Sequence, residues 1–124
     1  MQNAKRILIV DDEKLVVQAL TQKLQQAGFR TEAAFDGKEA LAKINQSKPD
    51  LVLLDIIMPK LDGISMLKKL KASDKTKNIP IIILTNLYSD KKVVQALESG
   101  GTDYLIKVEY SLTEIVDQVR KKLQ

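Results

Sequence analysis

The chain of 124 residues contains no cysteine and no histidine, and its aromatic residues are limited to three tyrosines and two phenylalanines. The absence of cysteine excludes disulfides and thiolate metal sites, and it leaves the redox compartment open. The absence of histidine excludes imidazole acid–base catalysis and a phosphohistidine formed on this chain. Chemistry here therefore has to come from carboxylates, hydroxyls, amines and bound ions.

Long apolar stretches are also missing. None approaches the ~20 residues of a membrane-spanning helix, and the apolar run after Lys5–Arg6 is too short for a signal peptide. We therefore expect a cytoplasmic protein without membrane contact. The net charge of +4 is partly concentrated at Arg120–Lys122, which a solvated helix face explains better than nucleic-acid binding does. The length predicts a single domain over residues 1–124.

Short apolar runs alternate along the chain with longer segments of helical spacing. The predicted strands are Lys5–Val10, Arg30–Ala34, Leu51–Asp55, Ile81–Thr85 and Tyr104–Lys107. The predicted helices are Lys14–Ala27, a segment from Asp36–Gly37 to before Pro49, Ile64–Ala72, a segment from Ser89 or Asp90 to Gly100–Gly101, and a last helix opened by the capping box Ser111–Glu114. This alternation predicts an α/β fold, (βα)5, in which helices cover both faces of a doubly wound parallel five-stranded sheet.

The apolar residues of the first predicted helix lie close to helical spacing. These are Leu15, Val16, Ala19, Leu20, Leu24 and Ala27. Gly28 stands where a glycine commonly ends a helix.

Polar residues follow the predicted strands where those strands end. Asp11 and Asp12 follow the first strand, Asp55 ends the third, Thr85 ends the fourth and Lys107 ends the fifth. Ligands of open α/β sheets bind outside the carboxyl ends of the strands, so we expect these side chains to form one site.

Three carboxylates at one site repel each other, by roughly 4 kcal/mol for a pair ~4 Å apart at an effective dielectric of ~20. Lys107 supplies one positive charge, and a divalent cation would supply the other two. Oxygen ligands without cysteine or histidine favour Mg²⁺ or Mn²⁺ over zinc. A metal, an ammonium group and a hydroxyl around a carboxylate suit phosphoryl transfer, with Asp55 as the nucleophile and Thr85 and Lys107 holding phosphoryl oxygens.

These residues resemble the receiver domain of a two-component response regulator over essentially the whole chain. The matching features are Asp11–Asp12, the segment Asp55–Gly63, Thr85, Tyr104 and Lys107. The resemblance implies a flavodoxin-like receiver fold with sheet order 2-1-3-4-5, similar to chemotaxis receivers.

The resemblance also implies a role for each site residue. Asp55 would be the phosphoacceptor, and Thr85 and Lys107 would bind the phosphoryl group. Thr85 and Tyr104 would form the conformational switch. Mg²⁺ would be bound directly by Asp12, Asp55 and the backbone carbonyl of Ile57, and through water by Asp11.

Two positions depart from the family pattern. Val108 follows Lys107 where the family usually has proline, so we expect a trans Lys107–Val108 bond and a rearranged following loop. Asn86 follows Thr85 where a small residue is common, and it would narrow access to the acceptor. Ile57 and Leu87 should flank the path of a hydrolytic water, and as apolar residues they predict slow self-dephosphorylation.

The leading interpretation is a phosphorylation-driven signalling switch, not an enzyme in the ordinary sense. Its donor would be a sensor histidine kinase or a histidine phosphotransfer protein, and its output an unknown protein, with no direct nucleic-acid binding. It would be a monomer or a phosphorylation-promoted homodimer. Since the chain ends after the last predicted helix, we expect a stand-alone regulator or a fragment of a larger one.

One alternative stays open, and two others fit these residues poorly. A phosphorylation-independent interaction domain could use the same fold, and Val108 and Asn86 favour it. A hydrolase of the haloacid-dehalogenase type also uses an aspartate nucleophile and Mg²⁺, but it needs an acid where Ile57 stands. A flavin carrier of the same topology needs an uncharged, donor-rich first loop, and here that loop is Asp11–Glu13.

Overall fold

A computed structural model describes residues 4–55, 63–85, 103–106 and 111–124. Its strands are β1 (Arg6–Val10), β2 (Arg30–Ala34), β3 (Leu51–Leu54), β4 (Ile81–Thr85) and β5 (Asp103–Ile106). Its helices are α1 (Lys14–Gln26), α2 (Gly37–Gln46), α3 (Gly63–Ala72) and a C-terminal helix (Leu112–Leu123). The predicted bounds of β2 and β4 are confirmed. The predicted ends of the other strands and of α1 and α3 agree with the structure to within one residue, and α2 ends before Pro49 as predicted. The helix predicted from Ser89 or Asp90 lies outside the described residues.

The five strands form one parallel sheet in the order β2-β1-β3-β4-β5. This confirms the predicted sheet order and places β1, β3 and β4 in the interior of the sheet. Buried strands of this kind read as continuous apolar runs because both of their faces are covered.

Alternate residues of each central strand pack into two separate cores. One core joins the strands to α2 and α3 through Leu8, Val10, Val52, Leu54, Ala40, Ile44, Met66, Leu67 and Leu70. The other joins them to α1 and the C-terminal helix through Ile7, Ile9, Leu51, Leu53, Val17, Leu20, Leu24, Ile115, Val116 and Val119. The doubly wound arrangement is therefore confirmed for the helices that the structure describes.

Local sequence signals set several helix ends. Gly28 has φ of 95° directly after the C-cap Ala27, a backbone conformation that glycine adopts readily. Asp36 caps α2 by accepting a hydrogen bond from the Glu39 N–H. The predicted capping box of Ser111 and Glu114 is present, with both of its hydrogen bonds formed.

Leu15 does not face the core, although it lies close to the helical spacing of the other apolar residues of α1. Its side chain is 81% exposed, whereas Val17, Leu20 and Leu24 are the buried residues of α1. Leu15 lies two positions before Val17, about 200° around the helix axis, so it projects away from the buried stripe.

Polar contacts tie the opposite, amino end of the sheet together. The Arg6 guanidinium donates to Ser47 Oγ and to Glu32 Oε1, each at 2.7 Å. The buried Thr76 hydroxyl donates to the Leu70 carbonyl at 2.6 Å, which satisfies an oxygen in the last turns of α3. No described helix is long and apolar enough to cross a bilayer.

Candidate functional site

Two aspartates lie directly beyond the carboxyl ends of neighbouring central strands. The Asp11 N–H donates to the Ala34 carbonyl at 3.1 Å, and the Asp55 N–H donates to the Val10 carbonyl at 2.9 Å. These hydrogen bonds extend the ladder of the sheet one residue past β1 and β3. Both carboxylates are therefore attached to backbone that the sheet holds in place.

Asp11, Asp12 and Asp55 form one carboxylate cluster. One carboxylate oxygen from each residue lies within 4.8 Å of the others. Asp11 and Asp55 are buried, with 1% and 6% of their surface exposed, whereas Asp12 is exposed. The Glu13 N–H donates to Asp11 Oδ1 at 2.9 Å, and this contact orients the most deeply buried carboxylate. The predicted convergence of these three residues is confirmed.

The donor set of this cluster fits a hard divalent cation. Carboxylate oxygens are the protein ligands that Mg²⁺ prefers, and Mg²⁺ commonly uses one or two carboxylates and keeps several waters. The exposed Asp12 leaves one side of the cluster open to such waters. Two buried carboxylates at this spacing also need positive charge nearby, which a divalent ion supplies.

The other predicted site residues lie wholly or partly outside the described part of the chain. Lys107, Ile57, Leu87, Asn86 and Val108 are outside it. The backbone of Thr85 ends β4, where it is paired with Ile106, and Tyr104 is paired with Ile83. Thr85 and Tyr104 thus lie on adjacent strands, and the parts played by their side chains stay predictions.

The sequence profile of the family described as "Response regulator receiver domain" matches residues 7–120. The chain belongs to this family. The receiver domain is 38% identical over 122 residues to the transcriptional regulatory protein PrrA of Mycobacterium leprae, covering 98% of this chain and 51% of PrrA. It therefore spans about half the length of that relative.

Solved structures agree with this assignment. The chemotaxis protein CheY4 of Vibrio cholerae superposes with a TM-score of 0.90 at 30% identity, covering 98% of this receiver domain and 100% of CheY4. The receiver domain of the Francisella response regulator 1452 superposes with a TM-score of 0.87 at 39% identity, and 96% of each chain is covered. The flavodoxin-like receiver fold is confirmed.

Membership of the family gives the receiver domain its general function. It is a signalling phosphoacceptor domain of two-component systems, and its phosphorylation acts as a switch. Receiver domains bind Mg²⁺ at an acidic pocket, and here Asp11, Asp12 and Asp55 form such a pocket.

An apolar groove on the α1 side of the sheet was not predicted from the sequence. It has a volume of about 260 Å³ and lies between α1 and the C-terminal helix. Its lining residues are Leu15, Val16, Ala19, Leu20, Leu84, Leu112 and Ile115. The signal that could have revealed it is the position of Leu15, off the buried stripe of its helix and four residues after Asp11.

Proposed function

We propose that Asp55 accepts a phosphoryl group from the phosphohistidine of a partner protein. A carboxylate oxygen of Asp55 attacks phosphorus, the P–N bond breaks, and its electron pair returns to the imidazole nitrogen. The product is an aspartyl phosphate on this chain and a free histidine on the donor. Bound Mg²⁺ would neutralise charge on the phosphoryl oxygens as they pass between the two proteins.

The convergence of Asp11, Asp12 and Asp55 within 4.8 Å is the observation that carries this proposal. Asp55 is the best acceptor of the three because it extends β3, the strand between β1 and β4. Asp11 already accepts the Glu13 N–H, and Asp12 is exposed and suits a metal ligand. We propose that Mg²⁺ or Mn²⁺ is held by Asp12, Asp55 and the Ile57 carbonyl, and by Asp11 through water.

The remaining roles rest on the family resemblance. Thr85 and Lys107 would hold phosphoryl oxygens, and Thr85 and Tyr104 would convert phosphorylation into a change of surface. Ile57 and Leu87 would leave a hydrolytic water without an orienting polar group, so the aspartyl phosphate should last for minutes or longer.

The proposed donor is a sensor histidine kinase or a histidine phosphotransfer protein. The apolar groove that Leu15 lines supports docking of such a donor on the surface between α1 and the C-terminal helix, because an exposed apolar surface commonly marks a protein contact. The output protein is unknown, and a cytoplasmic location, a single domain over residues 1–124 and a monomer or phosphorylation-promoted dimer stay predictions.

Intact-protein mass spectrometry tests the acceptor directly. Wild-type protein and Asp55→Asn are incubated with acetyl phosphate and MgCl2, and each mass is compared with that of the untreated protein. We expect wild type alone to gain the mass of one phosphoryl group. A gain of equal size on Asp55→Asn would show that another residue is the acceptor.

The same experiment separates the alternatives. No adduct on wild type that binds Mg²⁺ would favour a docking domain that has lost the reaction, and reversion of Val108 to proline and Asn86 to alanine would then be the next step. Loss of the adduct within seconds in Mg²⁺ would contradict the proposed slow dephosphorylation.

A further inference from the structure

An ion pair on α2 holds the backbone at the carboxyl end of β2. Lys43 Nζ donates to the Ala33 carbonyl and lies 3.5 Å from Glu39 Oε2. The other oxygen of that carboxylate, Glu39 Oε1, accepts the Phe35 N–H at 2.8 Å. The two side chains therefore bind the backbone on both sides of Ala34.

One peptide group connects this ion pair to the carboxylate cluster. The Ala34 carbonyl and the Phe35 N–H belong to the same planar peptide unit, which moves as a rigid body. Its N–H donates to Glu39, and its carbonyl accepts the Asp11 N–H at 3.1 Å. Hydrogen bonds in such a chain polarise and strengthen one another. Asp11 is thus bound to a peptide whose opposite end is held by the Glu39–Lys43 pair.

We propose that Glu39 and Lys43 are positioning residues for the metal site. By holding the Ala34–Phe35 peptide they hold the backbone of Asp11, a residue that is 1% exposed and has little freedom to reach a misplaced ion. Neither residue belongs to the carboxylate cluster. This inference rests on the proposed function because it presumes that the cluster binds Mg²⁺.

The direction in which one substitution changes the Mg²⁺ affinity separates positioning from plain electrostatics. Lys43→Met removes a positive charge from the neighbourhood of an acidic site, and Coulomb's law alone then favours tighter Mg²⁺ binding. Loss of positioning favours weaker binding. Partners one step beyond metal ligands typically change affinity by about 10–100-fold. Lys43 acts on Asp11 only through Glu39 and the Ala34–Phe35 peptide, and Asp11 would hold Mg²⁺ through water, so we expect Lys43→Met to weaken Mg²⁺ binding by less than this, about 2–5-fold.

Two variants serve as controls for this measurement. Lys38→Met makes the same charge change at an exposed position of α2, so it should leave the affinity unchanged or slightly tighter. Thr76→Val removes a buried hydrogen bond at the amino end of the sheet, so it should lower stability without changing the affinity.

The experiment is isothermal titration of the full chain with MgCl2 for wild type and the three variants, alongside urea unfolding of each. Amide hydrogen exchange followed by NMR adds a readout that does not depend on metal. In Lys43→Met the N–H groups of Asp11 and Phe35 should exchange faster than in wild type. The N–H groups in the centre of β3 should keep their wild-type exchange rates.

Each outcome is decisive. Unchanged or tighter Mg²⁺ binding by Lys43→Met would overturn the positioning role and leave the proposed function standing. Equal acceleration of amide exchange throughout the sheet would have the same consequence. Weaker binding by Thr76→Val to the same degree would also overturn it, since general destabilisation would then suffice. Failure of wild type to bind Mg²⁺ would overturn the metal site itself, and this inference with it.

Discussion

Repulsion within the carboxylate cluster should make one of its members unfavourable for stability when no metal is present. Asp12→Asn removes one charge from the cluster while nearly preserving the size of the side chain. Asp12 is the best position to change because it is exposed, so the substitution disturbs neither core. We therefore expect the metal-free variant to be more stable than wild type.

The magnitude follows from the spacing of the three oxygens. The oxygens lie within 4.8 Å of one another, and two unit charges at that limit repel by about 3.5 kcal/mol at an effective dielectric of ~20 and by about 0.9 kcal/mol in water. The lower figure suits Asp12 because solvent screens an exposed charge. Asp12 faces two neighbours, so its neutralisation should raise the free energy of unfolding by about 1–2 kcal/mol.

Mg²⁺ should reverse this order. A bound ligand stabilises the folded state by about 2.7 kcal/mol at 100 times its dissociation constant. At that Mg²⁺ concentration the free energy of unfolding of wild type should rise by this amount. It should rise less for Asp12→Asn, because that variant lacks one proposed metal ligand. Wild type should then be the more stable protein in saturating MgCl2, and the less stable one in EDTA.

Urea unfolding in EDTA and in MgCl2 measures both effects. Asp74→Asn is the charge-matched control, because Asp74 is 94% exposed and lies outside the cluster. Its effect should be small and of the same sign in both buffers. High NaCl should shrink the advantage of Asp12→Asn through screening. If Asp12→Asn is less stable than wild type in EDTA, the cluster is not repulsive and the reasoning fails.

Three further substitutions test other parts of the fold. Thr76→Val leaves the buried Leu70 carbonyl without its 2.6 Å hydrogen bond and should lower the unfolding free energy by about 1–3 kcal/mol in urea titrations. Hydrogen bonds to Ser111, first to its backbone N–H and then to its side chain, hold the pKa of Glu114 below its usual range. The stability that ionised Glu114 contributes to the fold is therefore complete above the ordinary pKa of glutamate. It is lost as the pH falls through the lower pKa that Glu114 has in the folded protein. The urea midpoint of Glu114→Ala should accordingly fall below that of wild type at pH 7, and the gap should narrow in acid. Leu15→Asn should leave stability unchanged because the side chain is 81% exposed, yet slow phosphotransfer from a donor protein about 5–10-fold without slowing phosphorylation by acetyl phosphate.

The sheet could be predicted from sequence because its signals are local and mutually consistent. Arg30–Ala34 and Ile81–Thr85 are bounded by Gly28 and Pro80, and both strands have the predicted ends. The carboxylate cluster followed from topology, since residues that end neighbouring parallel strands have to meet at one edge.

Other features depend on tertiary packing and could not be predicted. Leu15 is apolar and close to the helical spacing, but only the position of the helix on the sheet shows which stripe is buried. The contact between Lys43 and the Ala33 carbonyl joins α2 to β2, and no local pattern in the sequence indicates it. The apolar groove similarly combines residues from α1, β4 and the C-terminal helix.

The backbone around the carboxylate cluster explains why its repulsion is not relieved by the aspartates moving apart. The N–H groups of Asp11 and Asp55 donate to Ala34 and Val10, so neither residue can move away without breaking the ladder of the sheet. Moving apart would also expose the apolar residues that precede them, Val10 and Leu54, which are fully buried. Breaking one hydrogen bond and exposing one such side chain together cost about 2–4 kcal/mol, comparable to the repulsion between two buried carboxylates. The charges therefore stay close together, and the energy of the site depends on the charge that it binds. A divalent cation lowers that energy, and a phosphoryl group on Asp55 changes it again. A site whose energy depends on its covalent modification meets the physical requirement for a switch.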